Sequence, residues 1–247
     1  MASQPPLPSP PPLADLVASG PLALFLDFDG TLVEIAPDPD AIVVPPTLAR
    51  RLAALNDQLD GRLALVSGRA LDDLTRHLGP IGMARAGSHG AHCVRADGSL
   101  AGAPPEPLPG EIVARMRAFA QECGLRYEAK SHGGALHYRA RPEMADAVHA
   151  LADELAASNG LCIKRGKAVA ELVRPGASKR GAVQTFMAEN PFSGSTAIFV
   201  GDDVTDEDGF AGAIEFGGFG LAVGDRMSDK ARYRLDTVSA VHEWLNL

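Results

Sequence analysis

The chain has 247 residues, enough for one large domain or two small ones with a real core. Apolar residues make up 46% and charged residues 22%, the balance of an ordinary soluble globular protein, and no stretch is long and apolar enough to span a membrane. A formal net charge of −8 argues against general binding to nucleic acid or to an anionic membrane, so an anionic ligand would need a local positive site.

Three cysteines, Cys93, Cys123 and Cys162, are an odd number without close spacing. They read as reduced, buried thiols in a reducing compartment rather than as a disulfide frame or a zinc site. No basic start followed by an apolar core marks a secretory signal, so the expected location is cytoplasmic. Residues 1–20 read as a proline-rich disordered tail, with a docking motif for a proline-recognising domain as the rarer alternative.

The stretch Leu22 to Leu32, LALFLDFDGTL, is an apolar run that ends in a carboxylate. That is the pattern of a buried parallel strand with Asp27 and Asp29 at its carboxyl end, where open α/β sheets bind ligands. Two carboxylates there repel each other unless something positive stands beside them, and magnesium, a hard cation that takes oxygen ligands, suits the purpose. A calcium loop fails on spacing: with Asp27 first, the loop glycine would fall at Leu32 and the terminal glutamate at Asp38.

Pro45-Pro46-Thr47 introduces a helix with Leu48, Leu52, Leu55 and Leu59 at helical spacing. A strand over 63–66 and a helix with Leu71, Leu74 and Leu78 on one face follow. Between them, Ser67 and Gly68 can join backbone N–H groups in holding a phosphate, and a plain helix cap is the other reading of Ser67. Residues 82–100 contain Gly87-Ser88-His89-Gly90 and read as a short hairpin. Strand, helix, strand, helix is the grammar of a doubly wound parallel sheet.

From Pro104 to Gly110 the composition is that of a linker. Beyond it the order is a helix (Ile112, Met116, Phe119), strands over 125–130 and 135–139, a helix (Met144, Val148, Leu151, Leu155), and strands over 161–165 and 168–173. This is a small α+β unit, and the doubly wound pattern resumes after it. The expected division is therefore core 21–106, inserted domain 107–173 and core 174–247. Ser178 caps a helix that opens with Lys179, and a strand over 196–200 ends in GDDVTDEDG. Gly209 and Glu215 have calcium-loop spacing, but the first ligand position would be Val204, which has no side-chain oxygen.

In this order Asp27-x-Asp29-Gly30-Thr31, Ser67, Lys179 and Asp202-Asp203 resemble the four motifs of the haloacid dehalogenase (HAD) superfamily of phosphotransferases. A closer resemblance, to trehalose-6-phosphate phosphatases, is carried by LDFDGTL (26–32), SGR (67–69), GSHG (87–90), HYR (137–139), GKAVAELVRP (166–175), GASK (176–179) and GDDVTDEDGF (201–210). It runs from Leu22 to the C-terminus. Arg180 departs from it, since the family usually has glycine after the motif lysine.

The resemblance implies a Rossmann-like HAD core with an inserted cap domain over the phosphate site, hinged near 104–110 and 174–177. It also implies a Mg²⁺-dependent phosphatase of trehalose 6-phosphate. Asp27 would be the nucleophile that forms an aspartyl-phosphate, and Asp29 the acid that protonates the leaving sugar oxygen and then the base for water. Magnesium would be held by the carboxylates of Asp27 and Asp202 and by the main-chain carbonyl of Asp29. Ser67, Gly68 and Lys179 would bind phosphoryl oxygens, with Asp203 and Asp206 as supporting groups. Lys167 and Glu171 in the inserted domain would recognise sugar hydroxyls, with Ser88 and His89 as weaker candidates. Arg139 would orient Glu171 or stabilise the cap sheet. Two rival readings are a phosphatase of another sugar phosphate and a catalytically silent sugar-phosphate-binding protein, such as a partner of a trehalose-phosphate synthase. The latter would be marked by loss of Asp27, Asp29 or Lys179, all of which are present.

Overall fold

In the computed structural model, the described residues are 7–36, 41–104, 106–130, 132–166, 168–175 and 177–247. The chain forms two units, Met1–Ala103 with Ser178–Leu247, and Pro104–Ala177. The larger holds α1 (Leu13–Ala18), β1 (Leu22–Leu26), α2 (Leu48–Gln58), β2 (Leu63–Val66), α3 (Leu71–Leu78), β3 (Ala84–Gly87) and β4 (His92–Val94). The smaller holds α4 (Gly110–Cys123), β5 (Arg126–Lys130), β6 (Gly133–His137), α5 (Ala145–Asn159), β7 (Cys162–Gly166) and β8 (Val169–Val173). The chain then returns to the larger unit for α6 (Lys179–Met187), β9 (Thr196–Gly201), α7 (Asp206–Glu215), β10 (Phe219–Val223), β11 (Ala231–Leu235) and α8 (Val238–Leu245).

Alternation along β1 sets the layers of the larger unit, because successive strand residues point to opposite faces. Leu22, Leu24 and Leu26 join an apolar cluster with Leu48, Leu52 and Leu55 of α2, whereas Ala23 and Phe25 join another with Ala182, Val183 and Phe186 of α6. With both faces covered, β1 is buried throughout. Among the described residues seven strands form this sheet, in the order β11-β10-β9-β1-β2-β3-β4, parallel except for the β3–β4 pair. From β1 the chain winds outward through β2 and β3 on one side and through β9, β10 and β11 on the other. The order thus reverses at β1, and a crevice is expected at its carboxyl end.

Among the described residues of the smaller unit, four antiparallel strands form a sheet in the order β5-β6-β8-β7. Leu136, Ala170 and Leu172 pack with Ile112, Met116 and Ala120 of α4 and with Val148, Ala152 and Leu155 of α5. Glu171 lies between Ala170 and Leu172 and therefore points to the other face.

Two expectations need correction. Residues 7–20 are not a disordered tail: Trp244 Nε1 donates to Pro11 O at 2.8 Å, Arg234 N donates to Pro8 O at 3.0 Å, and Leu13 and Leu16 pack on the core. Proline composition disfavours helix and sheet propagation, but it leaves carbonyl acceptors for a neighbouring edge. Residues 1–6 lie outside the described residues. The second strand of the smaller unit is also shifted: the strand expected over 135–139 runs from Gly133 to His137, since the Gly133-Gly134 pair joins the ladder instead of ending it. Element α7 overlaps the motif over 201–210, and β10, β11 and α8 lie beyond the last element expected from the sequence. Among the described residues no helix is long and apolar enough to cross a membrane.

Candidate active site

Five chain ends converge beside β1. Asp27 follows β1 and its N–H donates to Val200 O of β9 at 2.9 Å; Ser67 follows β2, Asp202 follows β9, and Lys179 and Asp206 open α6 and α7. Lys179 Nζ lies 2.6 Å from Asp27 Oδ1 and 2.6 Å from Asp206 Oδ1, and all three side chains are buried. Ser178 caps α6 by accepting from Gly181 N at 3.1 Å, so the helix starts at Lys179 despite Arg180, which points outward and pairs with Glu215.

One ammonium among three carboxylates leaves negative charge uncompensated. One carboxylate oxygen each from Asp27, Asp202 and Asp206 lies within 4.8 Å of the others. Burial pushes the Asp27 carboxyl well above its usual range, Lys179 opposes this, and Asp206 and Asp202 push it further up. Burial, with Asp206 and Asp203, pushes Asp202 up to about 7. For Lys179 burial acts downward, but the two carboxylates outweigh it and hold the ammonium charged. Asp202 Oδ1 is buried with no hydrogen-bond partner among the described residues. Such a donor set fits a hard divalent cation. Asp27 and Asp202 would hold it, because Asp206 already accepts from Lys179 and, at 2.8 Å, from Asp203 N. Gly30 allows the approach: its φ is +78°, and a Cβ there would stand 2.2 Å from Asp202 Oδ2.

Asp29 lies outside that carboxylate cluster. Both its oxygens accept from one guanidinium, Arg69 Nε at 2.6 Å and Nη2 at 2.7 Å. Its expected part in holding a cation can therefore come only through its main-chain carbonyl. Arg69 is the third residue of SGR, and its signal in the sequence is an arginine two positions beyond a candidate phosphate ligand. Its Nη1 also donates to Asp73 Oδ2 at 2.7 Å and to His77 Nε2 at 3.3 Å on α3.

Ser67 is not a helix cap, since the N-cap of α3 is Ala70; its hydroxyl accepts from Arg69 N at 3.1 Å. Ser88 and His89 both have positive φ, 54° and 58°, an uncommon conformation for such residues. Their N–H groups donate to Arg69 O at 2.7 Å and Ser67 O at 2.8 Å, and the His89 ring covers Gly68 where a Cβ would be only 2.7 Å from Cε1. The GSHG turn thus braces the SGR turn. Asp203 Oδ1 accepts from Val204 N at 2.6 Å and holds its own loop.

In the smaller unit Glu171 is buried, 3.1 Å from Lys130 Nζ and 3.3 Å from His132 Nε2. Glu128 and His137 pair at 2.7 Å on the same sheet. Lys130, His132 and Glu128 escaped the sequence reading, because only the β5-β6-β8 pairing brings them near Glu171. Lys167 lies outside the described residues. Arg139 lies in an exposed turn after β6, past Ala135, the cross-strand neighbour of Glu171.

The sequence profile described as trehalose-phosphatase matches residues 25–236. The chain is 38% identical over 228 residues to the trehalose-6-phosphate phosphatase of Escherichia coli (strain K12), covering 91% of this chain and 85% of that one. It is 38% identical over 208 residues to a probable trehalose-phosphate phosphatase of Sinorhizobium fredii, covering 82% and 77%. In fold it is similar to the C-terminal domain of the trehalose-6-phosphate phosphatase of C. albicans, with a TM-score of 0.76 at 21% identity over 99% of this chain and 100% of that one.

Proposed function

The chain belongs to the trehalose-phosphatase family, and on that premise we propose that it hydrolyses trehalose 6-phosphate to trehalose and phosphate through Asp27. The observation that carries the reading is the buried Asp27–Lys179–Asp206 ion cluster at the reversal point of the sheet, beside an Asp202 oxygen that lacks a hydrogen-bond partner among the described residues.

A phosphate monoester dianion repels a carboxylate nucleophile, so attack needs positive charge at the transferring group. Lys179 supplies one charge from this chain, and Ser67 and the backbone N–H groups of its turn supply neutral donors. A Mg²⁺ ion held by Asp27 and Asp202 would add Lewis-acid stabilisation of phosphoryl charge. Lys179 binds Asp27 Oδ1 and fixes the carboxylate, which leaves Oδ2 to attack phosphorus. As that bond forms, the bond from phosphorus to the sugar oxygen breaks, and the sugar oxygen takes a proton from Asp29. In the second half, Asp29 removes a proton from water, the water oxygen bonds to phosphorus, and Asp27 leaves. A carboxylate that accepts from both arms of Arg69 cannot donate, so Asp29 must take up a proton and release one arm before the first step. Sugar choice is assigned to the smaller unit, where Glu171 and Lys130 offer an acceptor and a donor for hydroxyl groups.

The test is phosphate release from trehalose 6-phosphate, glucose 6-phosphate and sucrose 6-phosphate, each with Mg²⁺ and with EDTA. The expected result is preference for trehalose 6-phosphate that vanishes in EDTA. In Glu171→Ala the preference should fall while metal dependence stays. Metal-dependent release from a different ester would overturn the substrate, and no release from any would favour a silent binding protein.

A further inference from the structure

Arg226 lies in the loop after β10, and no step described above uses it. Its Nε donates to the carbonyl of Asp202 at 3.0 Å, and its Nη2 donates to the carbonyl of Asp203 at 3.0 Å and to Glu207 Oε1 at 2.8 Å. One guanidinium thus grips the main chain of the acidic loop at two successive residues and its following helix at a third point. Arg226 is itself held, since its carbonyl accepts from Arg234 Nη2 of β11 at 2.8 Å. Glu207 is fixed from the same side through Lys230 N at 3.1 Å. Asp202 and Arg226 line one cleft of about 350 Å³ together with Gly30, Asp225 and Asp236.

The loop needs such a grip. Residues 202, 203, 206, 207 and 208 are all acidic, and their mutual repulsion favours opening the turn. Lys179 hydrogen-bonds Asp206 and only partly offsets the charge at Asp202, whose carboxyl stays raised. Past the end of β9 the Asp203 carbonyl accepts from Asp206 N at 3.0 Å, and Arg226 brings a donor from outside the loop both to it and to the Asp202 carbonyl. A planar guanidinium can satisfy two carbonyls and a carboxylate at once, which an ammonium on a flexible stem does less well. Because Asp202 is packed against Gly30 without room for a Cβ, a small opening of the turn would carry its carboxylate away from Asp27.

We propose that Arg226 is a positioning residue for the divalent-cation site, acting through the main chain of Asp202 and Asp203. This rests on the reading of Asp202 as a cation ligand. Because Arg226 touches no reacting atom, its loss should weaken cation binding and leave the chemical step intact once the cation is saturating.

The test compares the full chain with Arg226→Gln and Arg226→Lys. Mg²⁺ binding is measured by calorimetry without substrate, and phosphate release from trehalose 6-phosphate is measured across a Mg²⁺ titration. Arg226→Gln should bind Mg²⁺ about tenfold more weakly, the usual scale for removing a group that orients a ligand. The Mg²⁺ concentration for half-maximal activity should rise by a similar factor, kcat at saturating Mg²⁺ should stay near wild type, and Arg226→Lys should fall between. Unchanged affinity in Arg226→Gln, or a kcat loss that Mg²⁺ does not restore, overturns the proposal while the cation reading stands. A wild-type chain that binds no Mg²⁺ overturns both. Should Arg226→Gln fail to fold, Arg226→Lys carries the same test, with a rightward shift of the Mg²⁺ titration expected.

Discussion

At Asp202, burial and the neighbouring Asp206 and Asp203 raise the carboxyl to about 7. A cation that binds the carboxylates must displace their protons, and the Asp27 carboxyl is raised as well, so Mg²⁺ affinity should fall by about tenfold or more per pH unit below 7. Calorimetry from pH 5.5 to 8 checks this; a flat profile would show that Asp202 does not bind the ion. Arg69 offers a second residue-scale prediction. Lysine keeps the charge but loses the two parallel bonds to Asp29, so Arg69→Lys should lower kcat on trehalose 6-phosphate by about tenfold with KM nearly unchanged. Release of phenolate from p-nitrophenyl phosphate in the first turnover needs no proton and should fall less. Equal losses on both esters would mean that Arg69 does not act through Asp29. Of these residues, Asp27, Lys179 and Asp202 were legible in the sequence because each ends or opens a locally recognisable element. Arg69 and Arg226 were not, because their partners are 40 and 24 residues away and no local period links them.

Elements were legible where one period dominated. The β2 span follows from its short apolar run and the leucine faces of α2 and α3 from helical spacing, and Ser178 marks the start of α6. By contrast β10 reads FGLAV after two glycines, a composition that suggests a loop until β9 and β11 pair with it. The N-terminal segment was misread for a related reason. Prolines offer carbonyls and no N–H donors, so the segment can cover β11 without presenting another open ladder of its own. Deletion through Pro12 should lower the melting temperature by several degrees and leave phosphatase turnover unchanged, since no site residue lies there. Trp244 is the only tryptophan and donates to Pro11, so its emission should also shift to longer wavelength. Unaltered emission and melting would show that the segment does not dock in solution.

For the whole molecule, the sequence by itself determined the kind of architecture: parallel strands that end in acids, helices between them, and a smaller α+β insertion. Burial and hydrogen bonding along a strand or helix are local demands, and they leave local periods in the sequence. It also determined the order of the chemical motifs along the chain. The tertiary structure alone decided which charges meet. Lys179 reaches Asp27 across 152 residues because α6 packs on the face of β1 that carries Ala23 and Phe25, and Lys130 reaches Glu171 because β5 and β8 flank β6. Strand order is set by how the whole core packs, and no local stretch of sequence encodes it. Ion pairs and carboxylate crowding fall off over a few ångströms in a buried site, so the chemistry of Asp27, Asp29 and Asp202 is fixed only once that packing is complete.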